Sequence, residues 1–317
     1  MIQRAGDLPR ETKDGLRTLL MPVDGVMIAY LVLLTGLTLG SWSRIRQPET
    51  YMVFHALAVA VVFAAAWAHR RFDNHVTRFI HCWVPLAVLM CSFRELHYFV
   101  SEVHPWADRR YDWALHALDE RLFGDVDGLC RSLASRFWAD VLFVPYTMFY
   151  AMPAILFAML YVRSRWAEFR RSAAIVFVAW YLSYLGYILV PAQGPHHVTD
   201  GPRAPELDGA LWARTIYDAL GIMEMEMPDA FPSGHTLVAV LVLWMSRRYL
   251  RDWFWVLLPL GVGIIVGTVY LRYHYLIDVV AGALLVPISV WAGDLLADRW
   301  ESAPASVEQA TRAVTSS

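Results

Sequence analysis

The sequence predicts an all-α membrane protein, a polytopic helix bundle of about eight spans. Three observations predict it. The 317 residues are 57% hydrophobic and only 18% charged, with a mean hydropathy of +0.40; an ordinary soluble domain has about 45–50% apolar and about 25% charged residues. Several runs approach the roughly 20 apolar residues that cross a bilayer. Arginines cluster in the short loops between alternate runs, as orientation in a membrane requires. A net charge of −2 argues against a nucleic-acid partner. Cys82, Cys91 and Cys130 are odd in number and lack metal-ligand spacing, which leaves them as inert thiols.

The elements follow in order. Residues 1–21 are polar, with no cleavable signal pattern, and read as a cytoplasmic tail. The first helix covers Pro22 to Gly40. The second runs from Tyr51 to Ala68 and ends in His69-Arg70-Arg71. The third, Phe79 to Val100, carries Arg94, Glu95 and His97, an intramembrane set that is either an internal brace or functional. Residues 101–138 form a long amphipathic stretch, read as a lid or as an interfacial helix. The fourth helix spans Val141 to Val162, and the fifth Ser172 to Val190. A Pro/Gly-rich loop occupies 191–232. The sixth helix starts near Ser233 and ends at Arg247-Arg248, the seventh covers Trp253 to Leu271, and the eighth runs from His274 to about Gly293. The divisions expected are 1–78 (tail and two accessory helices), 79–293 (main membrane domain) and 294–317 (a polar tail, disordered after Trp300).

Arginine bias places the N-terminal tail and the even-numbered loops inside. Loop 191–232, the His274 turn and segment 101–138 then share the outer face. Arginine is abundant and Lys13 is the only lysine. That balance points to a GC-rich bacterium, hence an inner or plasma membrane with an extracytoplasmic site.

Two short stretches carry chemistry. Phe231-Pro232-Ser233-Gly234-His235-Thr236 reads as a helix start capped by Ser233, whose free N–H groups suit a phosphate. In Arg272-Tyr273-His274-Tyr275-Leu276-Ile277-Asp278, Asp278 follows His274 by four positions. On a helix the two share a face, so Asp278 can take a hydrogen bond from one ring nitrogen and leave the other free to attack or accept a proton.

These two motifs, 39 residues apart from His235 to His274, resemble the second and third motifs of the type-2 phosphatidic acid phosphatase superfamily. Val190-Pro191-Ala192-Gln193-Gly194-Pro195 and Leu118-Asp119-Glu120-Arg121-Leu122-Phe123-Gly124 resemble its inositol phosphorylceramide synthase-like branch. The resemblance spans about residues 79–293, leaves the first two helices outside, and implies that the other six form a six-helix catalytic core. It implies that His274 attacks phosphorus to form a phosphohistidine, that Asp278 orients it, and that His235 protonates the leaving oxygen and then activates the incoming hydroxyl. It implies that Ser233 and the N–H of Gly234 hold phosphate oxygens, with no metal and no cofactor. The substrate is a phospholipid or lipid phosphate in the bilayer. The acceptor is a lipid alcohol in a transferase or water in a phosphatase, and the same histidines serve both. Thr268 stands where the superfamily has an arginine six residues before the third-motif histidine, and His196-His197 follow Gly194-Pro195 where it has cations. A concentrated negative charge in the transition state calls for a fixed cation. Arg272 is the first candidate; His196, His197, Arg203 and Arg94 follow. A transporter, from another class, would show inverted repeats with matching broken helices, and no repeat is visible.

Overall fold

The structure, a computed structural model, describes residues 19–103, 111–197, 205–224 and 228–315. Among the described residues eleven α-helices follow one another: α1 (Pro22–Gly40), α2 (Pro48–Phe72), α3 (His75–Val103), α4 (Asp112–Phe123), α5 (Val126–Ser132), α6 (Arg136–Val162), α7 (Trp166–Leu189), α8 (Ala213–Glu224), α9 (Gly234–Tyr249), α10 (Arg251–Tyr270) and α11 (Leu276–Thr315). No strand occurs among the described residues. The helices start where the sequence supplies caps. Pro22 and Pro48 occupy first-turn positions, where proline loses nothing because its missing N–H would be unpaired anyway. Asp73 ends α2 in the left-handed region (φ 38°), with His69, Arg70 and Arg71 in the last turn.

Among the described residues seven helices are long and apolar enough to cross a membrane: α1, α2, α3, α6, α7, α10 and the Leu276–Trp300 part of α11. The eighth expected span, α9, is present but has only 16 residues. At 1.5 Å per residue it is about 24 Å long, short of the ~30 Å hydrocarbon layer. At the C-terminus the expected disordered tail is instead a continuation of α11 through Thr315. Its Ala-, Glu- and Arg-containing sequence has good helix propensity.

α7 is the centre of the bundle. In its apolar window 72% of residues are buried, against 22–39% in the other six. It packs on α11, α1, α9, α6 and α3, while α9 packs on α10, α11, α7 and α6. α1, α2 and α3 hold one another through two buried pairs: His81 Nε2 to Asp24 Oδ2 at 2.8 Å, and His55 Nε2 to Glu95 Oε1 at 2.7 Å. Glu95 is thus braced across helices by His55. The polar pieces 111–132, 191–197 and 272–275 meet at one end of the bundle. There Tyr111 N–H donates to Pro191 O (3.2 Å), and the N–H groups of Gln193 and Gly194 donate to Asp112. At that end Asp140 of α6 accepts from the N–H groups of residues 210–213, which ties the start of α8 to α6.

Candidate active site

The capped start of α9 forms as its sequence predicts. Ser233 Oγ accepts from Thr236 N–H (3.2 Å), and Ser233 N–H donates to Asp278 O (3.0 Å). Gly234 is required by space: a Cβ there would meet the Tyr187 hydroxyl at 2.5 Å. One residue into the helix, His235 is 8% exposed and held in an aromatic slot. Tyr146 stacks on its ring at 4.8 Å and 16°, and Phe149 leans on it at 4.1 Å. Tyr273 stacks on the far face of Tyr146 at 4.7 Å. This stack fixes the imidazole plane by packing.

His274 lies in the turn between α10 and α11, and α11 begins two residues later at Leu276. The expectation that His274 and Asp278 share one helical face is therefore corrected. Thr268 O receives the N–H groups of both Tyr273 and His274 (3.0 Å each), which winds the chain into a tight turn with Arg272 at φ 67°. Positive φ in a long side chain is strained backbone of a kind that collects at functional sites. His274 Nδ1 lies 2.7 Å from Ala230 O and 3.5 Å from Asp278 Oδ2. The backbone carbonyl is thus the nearer partner. Asp278 spends Oδ2 at 2.8 Å on Tyr275 N–H, as a first-turn carboxylate that caps α11.

This arrangement sets the tautomers. A carbonyl oxygen can only accept, so Nδ1 of His274 carries a proton and a neutral ring has its lone pair on Nε2. Nε2 faces His235 Nδ1 at 3.2 Å. The contact is satisfied when His235 Nδ1 holds the proton. The two histidines singled out in the sequence therefore touch, in a buried site, with one nitrogen lone pair and one donor directed at each other.

The predicted anion-binding residues divide. Arg272 is 3% exposed and adjoins His274, but its Nε donates to Asp127 Oδ1 at 2.6 Å in a pair with both side chains buried. His196 donates from Nδ1 to Arg272 O at 2.9 Å, a backbone contact that props the turn. Gly194 packs so closely beneath Tyr273 that a Cβ would lie 2.9 Å from the Tyr273 carbonyl carbon, and its φ of 102° suits glycine alone. Arg94 stands exposed on α3, which packs chiefly on α1, α2 and α7. The His197 backbone closes the 195–197 turn, and Arg203 lies outside the described residues.

Sequence reasoning missed the carboxylates of α4 and α5. Asp112 accepts from Gln193 N–H (3.0 Å), Gly194 N–H (2.8 Å) and the Tyr275 hydroxyl (3.3 Å). Asp119 accepts from Ile277 N–H at the start of α11 (2.7 Å), while burial pushes its pKa upward against that bond. Asp127 takes Arg272. Together with His116, Glu120, Cys130 and His274, Asp119 and Asp127 line a cleft beside the His274 turn. Asp229, partly buried next to Ala230, has its pKa pushed up to about 6 by burial, with His274 opposing the shift. The only signal for these residues was the Leu118–Gly124 resemblance, which contains Asp119.

Chemically, the site offers two facing imidazoles, the amides of a capped helix start and a buried guanidinium. No curated protein and no solved structure matches the chain significantly. The family model of the PAP2 superfamily matches residues 113–292, more than half of the chain. The match starts after α3, later than the resemblance at residue 79 suggested. It takes in the carboxylate-bearing α4 and α5, the Gly194 turn, the capped start of α9 and the His274 turn, and on it the chain belongs to the PAP2 superfamily.

Proposed function

We propose that this protein is an integral-membrane lipid phosphotransferase. It moves a phosphorylated headgroup from a phospholipid to a lipid alcohol through a phosphohistidine on His274. The observation that carries the reading is the 3.2 Å contact between His274 Nε2 and His235 Nδ1, with the other nitrogen of His274 tied to a carbonyl. Superfamily membership supports an enzyme acting on phosphate esters.

In the first step His274 Nε2 attacks phosphorus, the P–O bond to the leaving alkoxide breaks, and His235, protonated on both ring nitrogens once the anionic phosphate is bound, delivers one of its two protons to that oxygen and is left neutral. In the second step His235 takes the proton of the acceptor hydroxyl, whose oxygen attacks phosphorus and releases His274. Atoms and protons balance over the cycle. Attacking and leaving atoms stand roughly in line on opposite sides of phosphorus. At 3.2 Å the two rings have no room for a phosphoryl group between them, so substrate binding must part them. Ser233, the Gly234 amide and Arg272 take the charge on the equatorial oxygens. Arginine bias in the loops puts the site on the extracytoplasmic face.

A second reading, with water as acceptor, draws on the polar cleft lined by His116, Asp119 and Glu120 beside His274, a route by which water reaches the phosphohistidine. The test is purified protein in lipid beside His274→Ala, given phospholipids and lipid phosphates with and without ceramide or diacylglycerol. Mass spectrometry follows new lipids and a colour assay follows phosphate. A new lipid that needs donor and acceptor, absent in the variant, establishes transfer. Free phosphate alone, lost in the variant, establishes hydrolysis. Equal turnover by both proteins refutes His274 as nucleophile.

A further inference from the structure

We propose that Asp127 is a positioning residue: it aims the Arg272 guanidinium at the phosphoryl site and so supplies the cation that Thr268 does not. The inference rests on the phosphoryl-transfer reading above and names a device within that site.

The observations come from three levels. Arg272 and Asp127 are 145 positions apart, yet Nε lies 2.6 Å from Oδ1 and Nη2 3.4 Å from Oδ2. This two-point grip fixes the plane of the guanidinium as well as its place. Both side chains are buried, 4% and 5% exposed, where an ion pair costs desolvation and is weak evidence of stabilisation by itself. Its placement is what calls for explanation. Arg272 sits two residues before the nucleophile, in a turn whose left-handed φ of 67° swings the side chain of a non-glycine residue into an uncommon direction. Thr268, where the superfamily carries its arginine, is fully buried and donates its hydroxyl to Ile265 O. A threonine bonded to its own helix offers no charge.

Asp127 does not act alone on its segment. Asp112 holds the amides of Gln193 and Gly194, and Asp119 holds the first amides of α11. Each of these three aspartates thus grips one strip of chain bordering His274. Asp127 differs from the other two in gripping a charged side chain, so its effect should be read in anion affinity. It also meets Arg131 at 3.2 Å, one helical turn along α5. Arg131 offsets the carboxylate's charge and leaves Arg272 more of its own for a substrate phosphate.

The test is a double-substitution cycle on the full-length protein in lipid nanodiscs: wild type, Asp127→Asn, Arg272→Gln and the double variant. Orthovanadate, a pentavalent phosphate mimic, is the binding probe, read by the rise in unfolding temperature with concentration. Turnover of a short-chain lipid phosphate gives kcat and KM. If Asp127 works through Arg272, each single change weakens orthovanadate about tenfold or more and lowers kcat, and the double variant is no worse than Arg272→Gln. The double variant also removes both members of the buried pair, which protects the comparison from the folding cost of orphaning one charge. Multiplying losses, or orthovanadate affinity unchanged in Asp127→Asn, would overturn the assignment. So would a wild-type protein that binds no orthovanadate. A wild type that binds orthovanadate but turns over neither lipid phosphate nor phospholipid with ceramide or diacylglycerol added would instead sink the proposed reaction, and the binding cycle would still decide the role of Asp127.

Discussion

Gly282→Ala is the sharpest test of how the fold sets the site, because helix propensity and tertiary packing predict opposite outcomes. Gly282 lies in α11, buried, with its Cα against the N-cap of α9. A methyl there would fall inside contact distance of Ser233 O, with Ser233 C at 3.3 Å and Thr236 Cβ at 3.4 Å. An ordinary carbon–oxygen contact is about 3.3 Å, so the two backbones must part by about 1 Å. Propensity alone would favour alanine by about 1 kcal/mol. Overpacking costs about 1–3 kcal/mol, so the net change runs from about zero to about 2 kcal/mol of destabilisation. The functional effect is larger. Ser233 begins the helix that carries His235, and Asp278 O is hydrogen-bonded to Ser233 N–H at 3.0 Å. A displacement of about 1 Å at the chemistry costs about a hundredfold in rate. The assay compares unfolding temperature with kcat for product release. Gly36→Ala in α1, with nothing within 4 Å of its added Cβ, is the control and should leave kcat unchanged. If Gly282→Ala retains kcat within about threefold of wild type, the argument that this seam sets the histidine contact is refuted.

The remaining predictions follow from the same geometry. Tyr146→Ala removes the ring stacked on His235 and, at about 0.5–1.5 kcal/mol for an aromatic pair, should lower kcat about tenfold; Tyr146→Phe should retain most of it, and equal loss in both would assign the effect to the hydroxyl. Gly194→Ala places a side chain at φ 102° against the Tyr273 backbone; it should cost at least about 1–2 kcal/mol and abolish turnover, and a wild-type unfolding temperature with full activity would contradict the close packing. Asp229 has a folded-state pKa of about 6, raised by burial above the ordinary carboxylate value. Its protonated form therefore favours the folded state. Its contribution to stability is full below about pH 4 and is lost as pH rises through about 6. Relative to wild type, Asp229→Asn should gain stability between those values and hold the gain above them, and parallel pH profiles of unfolding temperature for the two proteins would exclude the shift.

The sequence by itself determined what depends on local pattern. Apolar run length gave the spans, because backbone polar groups in hydrocarbon must be paired within a helix. Pro232-Ser233-Gly234 gave the start of α9, because a cap needs only its own next three residues. His235 and His274 were legible as motif residues, and their contact at 3.2 Å joins positions the motifs had already paired. Tertiary structure decided the rest. It chose Ala230 O over Asp278 as the nearer partner of His274, since a backbone carbonyl carries no sequence signature and the turn ended before α11 began. The stacking of Tyr146 and Phe149 on His235 depends on helix rotation, which the apolar surface of α6 leaves open. Asp112, Asp119 and Asp127 sit in a polar stretch where a buried ligand of amides and a solvated carboxylate look alike. Only the fold, which closes 145 residues of chain between Asp127 and Arg272, tells which one is dry. A local pattern can state what a residue is able to do; long-range packing removes the water and fixes the partner, and at this site both were needed.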